Sequence, residues 1–236
     1  MKSSILFKSI IAGFAALTVA GSSAMAQQAP ATTTAQPATK EHKKDGEHKK
    51  DGLDKKHQKA DGATVGEAAP AFKLTGIDGK DVSLSDFKGK IVVLEWFNPE
   101  CPFILKHHQK NTTFNDLTKK YAGKDVVFLA INSNAAGNPG AGKEVNEKAK
   151  KDFKMDYNIL LDTKGEVGKA YGAKTTPHCF VVGKDGKLAY AGAIDDDKSP
   201  DTAGKVNYVG KAVDELLAGT SVSTPTTKPY GCSVKY

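Results

Sequence analysis

The run Ile91-Val-Val-Leu-Glu-Trp-Phe97, followed at once by Asn-Pro-Glu-Cys101-Pro102, limits what this chain can fold into more than any other stretch. Seven residues, apolar but for Glu95, make a strand buried on both faces, which needs a sheet covered on either side. Pro102 suits the first position of a helix, where its missing N–H costs nothing. Cys101 therefore stands just past the carboxyl end of a buried strand and at the start of a helix, the edge at which open α/β sheets carry their sites. A thiol there faces free backbone N–H groups and the positive end of the helix dipole. Both favour the thiolate, the nucleophile of disulfide exchange and peroxide reduction. The plainer alternative is a buried, inert cysteine.

The neighbouring residues agree with such a sheet. Phe72-Lys-Leu-Thr75, Asp78-Gly79 and Val82-Ser-Leu84 read as strand, tight turn and strand. The spacing of Phe114, Leu117 and Tyr121 predicts one helix from Pro102 to about Tyr121. Asp125 to Asn132 is a second buried strand, Lys143 to Phe153 a polar helix, Tyr157 to Asp162 a third strand, and Glu166 to Tyr171 a short helix. Thr176-Pro177 leads into Phe180-Val-Val182, Asp185-Gly186 turns into Leu188 to Gly192, and Tyr208 to Leu217 is a last helix. This order predicts an α/β fold with a mixed, centrally parallel sheet and helices on both faces, formed by one domain over residues 65–220. Residues 221–236 show no periodicity and read as a flexible C-terminal arm carrying Cys232.

Two segments precede that domain. Residues 1–26 have a short basic end (Lys2, Lys8), an apolar stretch and a small-x-small site at Ala24-Met-Ala26, the pattern of a cleaved signal peptide. The expected location is therefore periplasmic. Residues 27–64 hold eight Lys and six Asp or Glu, with Glu41-His-Lys-Lys-Asp-Gly46 repeated as residues 47–52. Such a segment buries too little apolar surface to offset its ordering entropy and reads as a disordered, Lys- and His-rich tether. A weak contact of this tether with anionic envelope surfaces is one expectation. The formal net charge of +7 is shared out as +2 on the leader, +2 on the tether and +3 on the remainder, and every basic residue is Lys. Without Arg the chain lacks the bidentate donors that nucleic-acid readers use, so no nucleic-acid partner is expected.

Residues 65–218 resemble the thioredoxin-like superfamily, specifically a redoxin of the alkyl hydroperoxide reductase/thiol-specific antioxidant type. The likeness rests on Gly66-x-x-Ala-Pro70-x-Phe72, on Asp86-Phe-Lys-Gly89-Lys90 before the central strand, and on Cys101 at the helix start. An exported peroxiredoxin-like subgroup shares Asn-Pro-x-Cys-Pro-Phe and a tail ending Pro-Tyr-Gly-Cys-Ser-Val-Lys-Tyr, as residues 229–236 read here. The resemblance implies a thioredoxin-like fold with an N-terminal redoxin hairpin. It also implies a cis Pro177 after Thr176 beside the reactive Cys101, shaping a groove for an extended substrate with Asn98, Pro102 and His178 near it. Glu95 falls where thioredoxins keep a buried acid, and as a costly buried carboxylate it suits passing protons to a nearby thiol. A surface pairing with Lys is its alternative.

The departures narrow the chemistry. Position 104 is Ile, so a dithiol reductase working through Cys-x-x-Cys is excluded. Asn98 stands where typical peroxiredoxins have Thr or Ser, and their peroxide-polarising Arg is missing, which weighs against fast peroxidase chemistry. Three cysteines leave one over after any intramolecular pair. Cys232 is expected to resolve Cys101, with a separate or intermolecular role as the alternative. Cys179 reads as a buried structural thiol. His178 is expected to stabilise a thiolate or to be an ordinary strand-end residue. A rival reading gathers Cys101 with His107, His108 or His178 around a soft metal, but no Cys-x-x-x-Cys is present and adjacent His107 and His108 point in different directions on a helix, so the expectation is no metal and no cofactor. Asp195-Asp-Asp197 reads as a solvated loop. The sequence thus points to an exported thiol oxidoreductase acting on a peroxide or a disulfide, with an unidentified thiol reductant as partner. A copper-handling or partner-binding module on the same fold is the alternative.

Overall fold

The computed structural model describes residues 62–236. The leader and the tether up to residue 61 lie outside the described residues. Ala63, read as part of the tether, donates its N–H to the Tyr171 carbonyl (3.3 Å). Among the described residues no helix is long and apolar enough to cross a membrane.

Seven strands form one mixed sheet. In chain order they are β1 (Lys73–Gly76), β2 (Asp81–Ser83), β3 (Ile91–Trp96), β4 (Val126–Asn132), β5 (Asn158–Leu161), β7 (Cys179–Val182) and β8 (Leu188–Gly192). A two-residue strand, β6 (Thr175–Thr176), lies between β5 and β7 in the chain. Across the sheet the order is β2-β1-β5-β4-β3-β7-β8. β3, β4 and β5 run parallel, while the hairpin β1–β2 and the pair β7–β8 close the edges antiparallel. The β1–β2 turn at Asp78-Gly79 and the buried, β-branched β3 are as the residue pattern predicts. β3 is wholly buried because both of its faces are covered. Ile91, Val93 and Phe97 join a core with α2 (Thr113–Lys120), α3 (Lys143–Asp152) and α5 (Tyr208–Leu217). Val92, Leu94 and Trp96 join a second core with α4 (Glu166–Tyr171) and the N-terminal residues. Period-two alternation thus sorts one strand between two cores.

The single helix expected over residues 102–121 is three pieces. α1 (Pro102–Leu105) passes into a wider π turn over Lys106–Lys110, where the Asn111 N–H donates back to Lys106 O (2.9 Å). Asn111 is extended, and α2 starts afresh at Thr113. The wide turn lets three consecutive polar residues, Lys106, His107 and His108, all point inward at 0%, 0% and 4% exposure. A regular helix would turn one of them out.

The C-terminal arm is also corrected. It is docked, by means that periodicity cannot register. Ala191 N–H donates to Pro225 O (3.1 Å), and Thr227 Oγ1 accepts from Ala193 N–H (2.9 Å). Tyr230 is buried. β9 (Cys232–Ser233) then pairs antiparallel with β6, with Thr176 opposite Cys232. Val234 N–H bonds to Lys174 O (3.1 Å), Lys235 O accepts from Ala135 N–H (2.7 Å), and the Tyr236 hydroxyl donates to Ala173 O (2.8 Å). These are main-chain bonds and single side-chain seats rather than an apolar stripe.

Candidate functional site

Cys101 is the residue before α1, in extended conformation, with Pro102 at the first helical position as the sequence predicts. Its N–H bonds to Asn98 O (3.1 Å). Asn98 holds this approach rigid. Its side-chain oxygen accepts from Glu100 N–H (3.0 Å) and its amide donates to Pro139 O (3.3 Å). It therefore ties the Cys101 loop to the 139–140 turn.

The strand β6 lies against Cys101. The Cys101 thiol sits 3.0 Å from the Thr176 carbonyl, and the Thr176–Pro177 peptide is cis, as the resemblance implied. From the other side β9 brings Cys232, whose sulfur is 2.7 Å from that of Cys101, both thiols being free. The approach depends on Gly231, which has φ 136°, and any Cβ there would collide with the Thr176 carbonyl. Burial first, then the hydrogen bond and charge of Cys101, push the Cys232 thiol up to about 12. The arm therefore presents a protonated sulfur to its partner. With the tail in place Cys101 is 2% exposed and Cys232 is partly buried.

The other expected residues lie elsewhere. Glu95 is buried, but its partners are neither a surface Lys nor a sulfur. His108 Nε2 donates to it at 3.0 and 3.2 Å, and the Tyr157 hydroxyl donates at 3.1 Å. The cysteine facing Glu95 in register is Cys179 on β7. Burial and then the Glu95 charge hold the Cys179 thiol well above its ordinary value, which keeps it protonated and suits an inert core residue. The His108 ring is stacked between Phe114 (5.0 Å) and Phe153 (5.5 Å).

His178 does not serve Cys101. Strand alternation puts it on the side of Phe180, against which its ring packs at 4.3 Å, in the core on the opposite face of the sheet from Cys101. Its Nδ1 accepts from Lys174 N–H (3.3 Å), and burial pushes its pKa down to about 4. A neutral imidazole there cannot stabilise a thiolate by charge. Among the described residues no cluster of three or more His, Cys, Asp or Glu is arranged to hold a metal ion, because His107 and His108 are turned to different partners.

Sequence reasoning missed the second polar cluster. Asp195, expected in a solvated loop, is 3% exposed and pairs with the wholly buried Lys106 (3.4 Å). Lys106 Nζ also donates to the Tyr230 hydroxyl (3.0 Å) and to Asp197 O. His107 Nε2 is 3.0 Å from the same hydroxyl, which itself donates to Asp195. The available signal was helical spacing, since positions 107 and 108 lie three and four residues beyond the core residue Ile104 and so share its inward face.

The chain is similar to known proteins over the region that holds Cys101 and Pro177. The Redoxin family model matches residues 64–208, which takes in Cys101 and Pro177 and stops short of the arm. The thiol-disulfide oxidoreductase ResA of Bacillus thuringiensis subsp. konkukian is 32% identical over 129 residues, 52% of this chain and 66% of the relative. The match thus spans just under two thirds of that relative's length. Among solved structures, an uncharacterized conserved protein of Geobacillus kaustophilus is 34% identical, with a TM-score of 0.66 over 73% of this chain and 92% of the other. The thioredoxin domain of a thiol-disulfide oxidoreductase from Bacteroides vulgatus shares the fold at 20% identity, with a TM-score of 0.50 over 65% and 98%.

Proposed function

Since the chain belongs to the Redoxin family and has a thioredoxin fold, we propose that it is an exported thiol–disulfide oxidoreductase whose redox pair is Cys101 and Cys232. The observation that carries this reading is the 2.7 Å approach of the two sulfurs beside the cis Thr176–Pro177 peptide. The kinship with ResA-type thiol-disulfide oxidoreductases supports exchange over peroxide reduction, as does the absence of Arg. The leader pattern of residues 1–26 supports a periplasmic location.

In the proposed cycle the Cys101 thiolate attacks one sulfur of a substrate disulfide. A mixed disulfide forms on Cys101 and the other substrate sulfur leaves as a thiolate. Once Cys101 is bonded it has no charge, so two of the three causes that hold the Cys232 proton are gone and only burial remains. Cys232 gives up its proton to the departing thiolate and attacks the Cys101 sulfur, which expels the second substrate sulfur as a thiolate. Two electrons have then passed from the protein dithiol to the substrate, and a thiol reductant restores the pair. Thr176 and Pro177 line the place of attack. Asn98 fixes the Cys101 loop, and Glu95, engaged by His108 and Tyr157, supports the core beneath it.

The test is to mix the reduced mature protein with oxidised glutathione and, separately, with hydrogen peroxide, then to map its disulfides by mass spectrometry. A Cys101–Cys232 link formed faster by glutathione disulfide is expected, and the Cys101→Ser variant should show no turnover. Retained turnover in that variant would overturn the assignment. A link formed only by peroxide would replace exchange with peroxide reduction.

A further inference from the structure

Whatever holds the tail in place governs how readily the two sulfurs join and how readily anything else reaches Cys101. The β6–β9 pairing is only two residues long, the bonds of Val234, Lys235 and Tyr236 seat the chain beyond Cys232, and those of Pro225 and Thr227 seat it five or more residues before. Two residues before Cys232, however, the Tyr230 hydroxyl enters the buried Lys106, His107 and Asp195 cluster, which takes no part in sulfur chemistry. The hydroxyl has one proton to give and two lone pairs to fill. It donates to Asp195 and accepts from Lys106 Nζ (3.0 Å) and from His107 Nε2 (3.0 Å), while Thr113 Oγ1 (3.1 Å) occupies the other ring nitrogen of His107. Burial keeps His107 neutral, with its pKa down at about 3, and the tyrosine hydroxyl bridges the Lys106–Asp195 pair (3.4 Å). The ring is held too, edge-on to Phe103 (5.8 Å) and beneath Lys106 Nζ (4.7 Å).

We infer that Tyr230 is a positioning residue for Cys232: Lys106, His107 and Asp195 form a socket for its hydroxyl, which keeps the tail strand on Thr175–Thr176 and Cys101 covered in the reduced protein. This rests on the reading of Cys101 and Cys232 as the redox pair. The socket is supplied by the π turn and by the loop after β8, and so exists independently of the arm. It raises the effective concentration of one thiol at the other without touching either.

The experiment is the equilibrium in which the dithiol and oxidised glutathione give the Cys101–Cys232 disulfide and two reduced glutathiones. It is run on wild type, Tyr230→Phe, Tyr230→Ala and, as control, the exposed arm variant Lys228→Ala. Tyr230→Phe keeps the ring against Phe103 and loses all three hydroxyl contacts. Its equilibrium constant should fall by at least about tenfold, the worth of a hydrogen bond to a charged group. The rate at which iodoacetamide alkylates Cys101 in the reduced protein should rise at least about fivefold, because the covered thiol is released. Both effects should be larger in Tyr230→Ala and absent in Lys228→Ala. A merely structural tyrosine would lower the unfolding temperature and move neither quantity. Folded Tyr230→Phe with both quantities within about twofold of wild type overturns the inference, whether or not Tyr230→Ala folds. Should wild type form no Cys101–Cys232 disulfide, the redox reading fails. Shielding of Cys101 from alkylation then decides the socket alone, and equal shielding in wild type and Tyr230→Phe overturns it.

Discussion

Oxidising the Cys101–Cys232 pair should stabilise the protein by an amount fixed by where the two residues lie in the chain. They are 131 positions apart. A cross-link of that span removes about 17 cal/mol/K of entropy from the unfolded chain, or about 5 kcal/mol at 25 °C. That full value is realised only where the native state needs no distortion to close the bond. Here the reduced sulfurs are already 2.7 Å apart, with Cys232 on β9 and Cys101 at the start of α1. For the 175 described residues, 62–236, the entropy of unfolding is roughly 0.37 kcal/mol/K, so oxidation should raise the melting temperature by about 13 °C. The thermodynamic cycle returns the same energy to the bond. The reduction potential should lie about 110 mV below that of the same cysteines in the unfolded chain. The assay is thermal and urea unfolding of the oxidised and reduced protein, with Cys232→Ser expected to melt like the reduced form under either condition. If the oxidised form melts at or below the reduced form, closing the bond strains the native state and the docked arm is the wrong starting geometry.

Other outcomes follow from single contacts. Glu95→Ala leaves the His108 and Tyr157 donors without an acceptor in the core, which should cost about 2–6 kcal/mol in urea unfolding. Exchange by the folded fraction should stay within about threefold of wild type, and a larger loss would return proton handling to Glu95. His178 is held neutral, its folded pKa down near 4 from 6.5, so between those values the unfolded chain binds a proton that the fold refuses. Its contribution is complete above about pH 6.5 and is lost as pH falls toward 4, by roughly 3 kcal/mol in all. The stability of His178→Phe should therefore fall less over this window, and equal slopes would show that the imidazole takes up its proton in the fold. Gly231→Ala forces a side chain into the Thr176 carbonyl at a backbone angle that only glycine adopts freely. The arm should lift and Cys101–Cys232 linkage by glutathione disulfide should slow about tenfold or more; linkage at the wild-type rate would show that β9 is not needed for it.

Much of the architecture was legible because it is written in local patterns. β3 and β4 are continuous apolar runs, Asp78-Gly79 can hardly be anything but a turn, and Pro102 after Cys101 opens a helix as it should. The errors arise where partners are far apart in the chain. Asp195 looks solvated until Lys106, 89 positions earlier, is brought beneath it. The arm looks flexible because its seats are backbone bonds and lone side chains, which produce no period. The helix over residues 102–121 was drawn from Phe114, Leu117 and Tyr121, all of which belong after the break, so their spacing was true of α2 and silent about the π turn. For His178 the local pattern itself points away from the site. Alternation along β7 sets it with Phe180 and against Cys179, hence away from Cys101. Of the candidate site, Cys101, Pro177 and Cys232 were readable from the chain, whereas the socket that orders Cys232 was not.

The position of β9 in the chain also bears on how three cysteines avoid joining wrongly. All seven strands of the main sheet and the helix α5 are synthesised before Cys232. Cys179 can by then be enclosed between β3 and β8, with its thiol fully buried. When the last strand arrives, a single sulfur is left beside the edge it joins. In the folded domain Cys232 therefore has one accessible partner among the three possible pairings, and a variant that weakens β7 should show its defect first as Cys101–Cys179 or Cys179–Cys232 links.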